Sequence, residues 1–245
     1  MNDFYWRRIV SPSPTHSIVA SKVADVTGDG FPDWVYLTAV KQPDSPYLTN
    51  ITLVIRNGRT HQSETYSLTE NSGYYPTLWL GDFTGNGIND ILIVIDSGGS
   101  GGVVYAYIYS TLQDRMTKIF DSIQFNEQHQ YQVQYANQYK VNIISDNPRK
   151  IYTLDLHYKG PEYLNEIYNP DGTLKQPIEG WVDPVGGIYP IDLSRNNKYY
   201  LLIMQQIAGR YHADGLGYVE NLLSWNGHQF EIVRQTVATY GKNID

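Results

Sequence analysis

Residues 25–33, Asp-Val-Thr-Gly-Asp-Gly-Phe-Pro-Asp, decide the fold because they predict a tight cation-binding loop. Oxygen-bearing side chains recur along the stretch, at Asp25, Thr27, Asp29 and Asp33. The two glycines among them let the backbone turn sharply enough to direct those oxygens inward. A hard cation such as Ca²⁺ takes about six to eight oxygen ligands, and we expect this loop to supply most of them. Phe31 would contribute its backbone carbonyl, since its side chain cannot ligate.

The residues after the loop indicate a strand rather than a helix. An EF-hand loop begins with similar spacing, but it requires a glutamate at its twelfth position and a helix on each side. The twelfth position here is Tyr36, and residues 34–38 read Trp-Val-Tyr-Leu-Thr, which favours a β-strand. The sequence therefore excludes an EF-hand and predicts a loop that leads into a sheet.

A second loop of the same spacing stands at residues 82–90, Asp-Phe-Thr-Gly-Asn-Gly-Ile-Asn-Asp. Its expected ligands, with a backbone carbonyl from the isoleucine, are Asp82, Thr84, Asn86, Ile88 and Asp90. Residues 91–95, Ile-Leu-Ile-Val-Ile, follow as a buried strand. We expect Ca²⁺ at both loops and tighter binding at the first, which gathers three carboxylates against two. The alternative is a solvated acidic turn without an ion.

The loop-then-strand unit at residues 23–35, Val-Ala-Asp-Val-Thr-Gly-Asp-Gly-Phe-Pro-Asp-Trp-Val, resembles the calcium-binding half of FG-GAP (VCBS-type) repeats. A second match covers residues 80–96. The resemblance implies an all-β fold, a β-propeller like that of integrin α subunits, with calcium loops between strands. A repeat of about 55 to 60 residues in a chain of this length predicts about four or five blades. A pair of β-sandwiches is the alternative fold.

Residues 192–200, Asp-Leu-Ser-Arg-Asn-Asn-Lys-Tyr-Tyr, predict a degenerate third loop. Arg195 and Asn197 stand at its glycine positions, and Tyr200 stands where the last aspartate would be. We expect a metal-free relic of the repeat in which Arg195 or Lys198 supplies the missing positive charge, and a strand after it.

Length and composition favour one β domain. The chain has 245 residues, of which 13% are aromatic and 18% charged, a mixture that suits strands. We predict a single β-propeller domain over residues 1–245. Residues 159–187 break the strand rhythm with several prolines and predict an irregular insertion, with a short helix over residues 161–168.

The charge and the absence of cysteine exclude several function classes. A formal net charge of −7 disfavours nucleic acid as a partner, and a chain without cysteine has neither disulfides nor thiolate metal sites. No apolar run reaches the roughly 20 residues of a membrane span. The first eight residues lack the apolar segment of a secretory signal, so only the calcium loops favour an extracellular or cell-surface location. We expect a monomer.

No stretch of the sequence carries a convincing catalytic motif, and we assign no catalytic residue. Residues 98–102, Gly-Gly-Ser-Gly-Gly, match the G-x-S-x-G pattern, which requires a following helix. Residues 103–109 alternate as a strand instead, so we predict a glycine-rich hairpin turn. The six histidines share no metal-ligand spacing.

The preferred functional hypothesis is a non-enzymatic calcium-binding β-propeller that serves as an interaction scaffold for a protein or glycan ligand. One alternative is a hydrolase acting on glycans or esters, with a site assembled from distant carboxylates. Another is a lectin-like module that binds glycans on an exposed tyrosine face. The alternating Tyr105, Tyr107 and Tyr109 would serve there if they were exposed, but ordinary packing within the sheet is the favoured interpretation of these tyrosines.

Overall fold

The structure is a computed structural model that describes residues 15–241. A strand expected over residues 4–10 lies outside that range. The described chain is built from strands with two short α-helices and one 3₁₀ turn, so the predicted all-β class is confirmed. The division of the strands into propeller blades stays a prediction.

The strands are named in chain order. They are β1 Thr15–Ala24, β2 Asp33–Lys41, β3 Leu48–Arg56, β4 Ser63–Ser67, β5 Tyr74–Gly81, β6 Asp90–Asp96, β7 Val104–Leu112, β8 Arg115–Asp121, β9 Tyr131–Ala136, β10 Lys140–Ser145, β11 Lys150–Asp155, β12 Glu179–Val182, β13 Gly187–Ile191, β14 Tyr200–Ala208, β15 Gly215–Trp225 and β16 Phe230–Thr239. The helices are α1 Ser122–Gln128 and α2 Pro161–Ile167, and the 3₁₀ turn is His157–Lys159.

Three antiparallel sheets organise these strands. The first contains β1 to β4 and the second β5 to β8, each in chain order, so that every strand pairs with the next. The third sheet has the order β11-β10-β9-β12-β14-β15-β16, and β13 pairs with β14 beside β12. The strands β13 to β16 thus repeat the up-and-down order of the first two sheets.

The second sheet packs on both of its faces, which explains why β6 is an unbroken apolar run. Ile91 and Ile93 join a core with Val35 and Leu37 of the first sheet. Leu92, on the opposite face, belongs to a core shared with the third sheet. Successive side chains of a strand point to opposite faces, so a strand covered on both sides must be apolar throughout. A third core lies within the third sheet and under α2.

Both helices begin as their sequences dictate. The side chain of Asp121 accepts a hydrogen bond from the backbone N–H of Ile123 and so caps α1. Pro161 stands in the first turn of α2, where the missing N–H costs nothing. The short helix expected over residues 161–168 is therefore present. Within residues 159–187, the stretch predicted to be irregular, the structure places α2 and strand β12.

A buried ion-pair network joins the region around α2 to the third sheet. Asp214 is almost fully buried, and its Oδ1 lies 2.8 Å from Nζ of Lys159. Its Oδ2 accepts hydrogen bonds from the hydroxyl of Tyr163 at 2.8 Å and from the backbone N–H of Arg210 at 3.0 Å. The Arg210 guanidinium also pairs with Glu166 of α2 at 2.8 Å. The buried carboxylate is thus well compensated.

Candidate functional site

The two predicted loops occupy equivalent corners of the fold. Residues 25–33 connect β1 to β2, and residues 82–90 connect β5 to β6, so each loop is the first turn of a four-stranded sheet. Both have the same backbone conformation, because the two glycines of each loop have positive φ, at Gly28 (80°), Gly30 (81°), Gly85 (78°) and Gly87 (83°). Such φ values suit glycine, and the glycine spacing therefore fixes the shape of the turn.

In the first loop, Asp25 accepts hydrogen bonds from the backbone it precedes. Its Oδ1 accepts from Gly28 N–H at 2.7 Å and from Thr27 N–H at 3.2 Å. Its Oδ2 accepts from Gly30 N–H at 2.9 Å. The Asp25 carboxylate therefore holds the turn closed by accepting hydrogen bonds from three backbone N–H groups within the next five residues.

Asp33 closes the same loop from its other end and is fully buried. Its Oδ2 accepts from the backbone N–H of Val26 and from both the N–H and the hydroxyl of Thr27, each at 3.0 Å. Its Oδ1 accepts from Gly58 N–H at 2.9 Å, in the turn between β3 and β4. Thr27 and Asp33, both predicted ligands, are therefore in direct contact.

Asp29 lies at the exposed tip of the first loop. Its Oδ1 accepts from Phe31 N–H at 2.9 Å, and its Oδ2 accepts from the Asn57 side-chain amide at 2.8 Å. The Asn57 amide and the Phe31 N–H together hold the pKa of Asp29 below its usual range. Asn57 lies 28 residues away in the turn between β3 and β4, and its part in this loop could not be seen from the sequence. The side chain of Phe31 is about half exposed.

The second loop repeats these contacts. Asp82 accepts from Gly85 N–H at 2.5 Å and from Gly87 N–H at 2.8 Å. Asp90 accepts from Phe83 N–H at 2.7 Å and from Thr84 N–H at 3.0 Å. The Thr84 hydroxyl, however, turns to Asp82 at 3.3 Å instead of to the last aspartate.

Two further side chains of the second loop point toward its surroundings. Asn86 accepts from Ile88 N–H at 2.9 Å, as Asp29 does from Phe31, and its amide donates to the Thr111 carbonyl at 3.2 Å. The Ile88 side chain leaves its own loop and packs against Gly28 of the first. The predicted ligands of this loop are thus close in sequence but face different partners.

Asp90 is the less well satisfied of the two terminal aspartates. It is fully buried, and its Oδ1 has no hydrogen-bond partner in the described chain, whereas the matching oxygen of Asp33 is bonded to Gly58. Burial raises the pKa of Asp90 to about 6, although the nearby Ser110 hydroxyl and the N–H groups of Phe83 and Thr84 favour the charged form. Asp90 and Ser110 are nevertheless not hydrogen-bonded to each other, since the Ser110 hydroxyl also has no partner in the described chain.

The degenerate loop at residues 192–200 lies at the equivalent corner between β13 and β14. Asp192 accepts from the N–H groups of Asn196 and Asn197, at 3.2 and 3.0 Å. Arg195 and Asn197 have φ of 54° and 63°, matching the glycine positions of the other loops. The two φ values and the bonds to the first aspartate are therefore like those of the other loops, although neither the glycines nor the last aspartate is present.

The three loops are linked to one another by main-chain atoms. The N–H of Asn89 donates to the carbonyl of Asp25 at 3.3 Å, and the N–H of Tyr199 donates to the carbonyl of Asp82 at 2.8 Å. In both cases the eighth residue of one loop binds the first residue of the preceding loop. The Thr111 hydroxyl adds a buried bond of 2.7 Å to the Val26 carbonyl.

The chemistry of the two acidic loops is that of an oxygen-only, negatively charged site. In the described part of the chain, their five aspartates form no ion pair with lysine, arginine or histidine. Across residues 15–241, no three carboxylate or imidazole side chains lie close enough together to hold a metal ion as they stand. The loop oxygens fit Ca²⁺ by type, but the carboxylates are directed to backbone N–H groups, and a cation would share them with those donors.

Comparisons with known proteins give one family. Residues 129–238 match the family described as YybI C-terminal domain. The chain is 52% identical over 233 residues to a Bacillus subtilis (strain 168) protein named "Uncharacterized protein YybI". The aligned region covers 95% of this chain and 89% of that protein. No helix among residues 15–241 is long and apolar enough to cross a membrane.

Proposed function

The chain belongs to the YybI family. We propose that it is a non-enzymatic calcium-binding β protein that serves as an interaction scaffold. One observation carries the proposal. Five aspartates are gathered at two equivalent corners with no basic side chain paired to them in residues 15–241, and the fully buried Asp90 has one carboxylate oxygen without a hydrogen-bond partner there. Buried carboxylates are costly unless a cation or enough hydrogen-bond donors compensate them, and Ca²⁺ is the cation that oxygen ligands favour.

In this proposal the first loop binds Ca²⁺ more tightly than the second. It offers Asp25, Asp29 and Asp33, with Thr27 and the Phe31 carbonyl as further oxygens. The second loop offers Asp82 and Asp90, with Thr84, Asn86 and the Ile88 carbonyl. A larger number of charged ligands raises calcium affinity. At a Kd on the order of 10⁻⁴ M, about 1 mM Ca²⁺ would stabilise the fold by roughly 1.4 kcal/mol per site.

We further propose that the sheets are the blades of a propeller of the FG-GAP (VCBS-type) class. The up-and-down order of β1–β4, β5–β8 and β13–β16 supports this arrangement, as does the recurrence of a loop at the first corner of each. The scaffold would act as a monomer. It would bind a protein or glycan ligand on a surface that the cation-binding loops keep rigid.

The experiment uses one alanine variant in each of the three loops, always at the fifth position of the loop. Asp29, Asn86 and Asn196 each accept a hydrogen bond from the N–H two residues ahead. Asp29→Ala, Asn86→Ala and Asn196→Ala therefore lose a similar local bond, but only the first two lose a proposed ligand. We expect the rise in Tm on adding Ca²⁺ to fall most in Asp29→Ala, less in Asn86→Ala and not at all in Asn196→Ala.

Melting with and without a chelator measures the same effect in the unaltered chain. A Tm that does not change between millimolar Ca²⁺ and chelator would remove the calcium assignment. An equal loss of the Ca²⁺ response in Asn196→Ala would show that the response does not come from these loops.

A further inference from the structure

The chain contains three Asn-Gly pairs, which begin at Asn57, Asn86 and Asn226. Asparagine is a chemically labile residue. When glycine follows it, the backbone nitrogen of the glycine can attack the side-chain amide carbon of the asparagine, because glycine has no Cβ to obstruct the approach. The three pairs share this local sequence, so the surroundings of each glycine nitrogen decide how fast each pair reacts.

The glycine nitrogen of the first pair is held by the first acidic loop. The N–H of Gly58 donates to Asp33 Oδ1 at 2.9 Å. A Cβ on Gly58 would lie only 2.0 Å from the carbonyl oxygen of Pro32, so the loop packs closely against this glycine. The Asn57 side-chain amide is bonded to Asp29 of the same loop at 2.8 Å. Attack by the Gly58 nitrogen would therefore require the turn to separate from the loop.

The glycine nitrogen of the second pair is also bonded, although this pair lies at the surface. Asn86 and Gly87 are both exposed, and a Cβ on Gly87 would meet nothing within 4 Å. The N–H of Gly87 nevertheless donates to Asp82 Oδ2 at 2.8 Å. The first aspartate of the second loop thus restrains the nitrogen that would attack.

The third pair lies in the turn between β15 and β16 and lacks this restraint. Asn226 and Gly227 are exposed, and a Cβ on Gly227 would again meet nothing within 4 Å. Gly227 and Gly87 both have positive φ, of 103° and 83°. Within residues 15–241, however, the N–H of Gly227 donates to no acceptor. The second and third pairs are therefore alike in exposure and differ in the hydrogen bond of the glycine N–H.

The turn also directs donors at the amide oxygen of Asn226. Its Oδ1 accepts hydrogen bonds from the N–H groups of His228 and Gln229, both at 2.9 Å. Attack on the amide carbon places negative charge on this oxygen, and donors already directed at it stabilise that charge. The Oδ1 of Asn86 accepts a similar bond from the N–H of Ile88 at 2.9 Å. Both amides are thus activated, and the freedom of the glycine nitrogen distinguishes them.

We propose that Asn226 is a site of spontaneous deamidation in the folded protein, and that the acidic loops protect Asn57 and Asn86 from the same reaction. The Gly227 nitrogen forms a bond to Cγ of Asn226 and loses its proton to water. The bond from Cγ to Nδ2 breaks, and the amide nitrogen takes a proton from water and leaves as ammonia. The cyclic imide then adds one water molecule and opens to aspartate or isoaspartate, so water is the only co-reactant.

The modification would act on the hairpin of β15 and β16. The Asn226 amide nitrogen donates to Glu231 Oε1 at 2.5 Å, and a carboxylate at position 226 would replace that bond with repulsion between two negative charges. Isoaspartate would also add a methylene group to the main chain of the turn. The ring of Phe230, beside this turn, packs against the rings of Phe83 and Phe120. Deamidation is therefore expected to loosen this end of the third sheet.

Peptide mapping by mass spectrometry measures all three rates in one sample. The full chain is kept at mildly alkaline pH, which favours loss of the glycine N–H proton, and is digested at intervals. We expect the Asn226 peptide to show conversion of amide to acid roughly tenfold faster than the other two, because a charged acceptor holds each of their glycine N–H groups. The control is the chain unfolded in guanidinium chloride, in which the three rates should be similar.

Asp82→Ala tests the protection directly. It frees the N–H of Gly87 and should raise the rate at Asn86 severalfold while the rate at Asn226 stays the same. Should this variant fail to fold, the three rates in the unaltered chain still decide. The proposal is overturned if Asn226 in the folded chain reacts no faster than Asn57 or Asn86, or if the same order of rates persists in guanidinium chloride. A folded Asp82→Ala chain with an unchanged rate at Asn86 would also overturn it.

Discussion

The side chain of Ile88 occupies the space that a Cβ on Gly28 would need, with its Cδ1 2.5 Å from that position. The seventh residue of the second loop is thereby packed on the fourth residue of the first. Lys198, the seventh residue of the third loop, packs in the same way on Gly85 of the second, with its Cδ 2.9 Å from the corresponding position. The contact is thus a repeated joint between neighbouring sheets.

The first prediction separates backbone strain from packing at this joint. Gly28 and Gly30 have nearly equal φ, but a Cβ on Gly30 would meet nothing within 4 Å. Gly30→Ala should cost about 1–2 kcal/mol from left-handed strain alone. Gly28→Ala should cost about 0.5–1.5 kcal/mol more, because its methyl group pushes the end of the Ile88 side chain away from its present rotamer. Urea unfolding measures both, and equal losses would contradict the packing contact.

A second prediction concerns the buried bond from the Thr111 hydroxyl to the Val26 carbonyl. Thr111→Val keeps the shape of the side chain but leaves that carbonyl without its donor. We expect a loss of about 1–3 kcal/mol in the free energy of unfolding. Thr117→Val is the control, since the Thr117 hydroxyl bonds a carbonyl at an exposed position and should change stability by less than about 0.5 kcal/mol.

A third prediction tests the network that joins α2 to the third sheet. Asp214→Ala leaves Lys159 without its partner in a mostly buried position and should cost about 3–5 kcal/mol. Asp155→Ala removes an exposed pair with His157 from the same region and should cost no more than about 1 kcal/mol. Chemical unfolding measures the loss of unfolding free energy in both variants. Similar losses would show that burial does not determine how much these ion pairs contribute to stability.

The fourth prediction follows from the ionisation of Asp214. Burial opposes its charge, but hydrogen bonds from Lys159, Arg210 and Tyr163 outweigh burial and hold the pKa of Asp214 below its usual range. The unfolded chain, whose aspartate pKa is about 3.9, then takes up the proton first. The stabilisation is therefore complete above about pH 4 and is lost as the pH falls further, through the folded-state pKa.

Asp214→Asn should remove that part of the acid sensitivity. Unfolding free energies measured at pH values on both sides of 4 are expected to fall more steeply for the unaltered chain than for the variant. Parallel curves would contradict a charged Asp214 in the folded state.

The sequence alone was enough to predict the elements whose conformation depends on residues close to one another in the chain. The loops at residues 25–33 and 82–90 and the strands after them were readable, since glycine spacing fixes the turn and an apolar run fixes a doubly covered strand. Helix α1 was not predicted, because its seven residues show too little periodicity, and the capping residue Asp121 was its one signal. Strands β12 and β13 were also missed, being short and interrupted by glycine and proline.

Contacts between distant segments could not be read from the sequence. Asn57 reaches the first loop across 28 positions, and Thr111 reaches it across 85. Asp183 and His212 are likewise brought together only by the pairing of β12 with β14. Each of these side chains looks ordinary in its own neighbourhood, and only the sheet order gives it a partner.

The main-chain bonds between successive corners do not depend on which side chains those corners carry. The corner at residues 192–200 has neither the glycines nor the final aspartate of the other two corners, yet the Tyr199 N–H still donates to the Asp82 carbonyl. A corner of this fold can therefore carry acidic or other side chains while the same two main-chain groups still join it to the next corner.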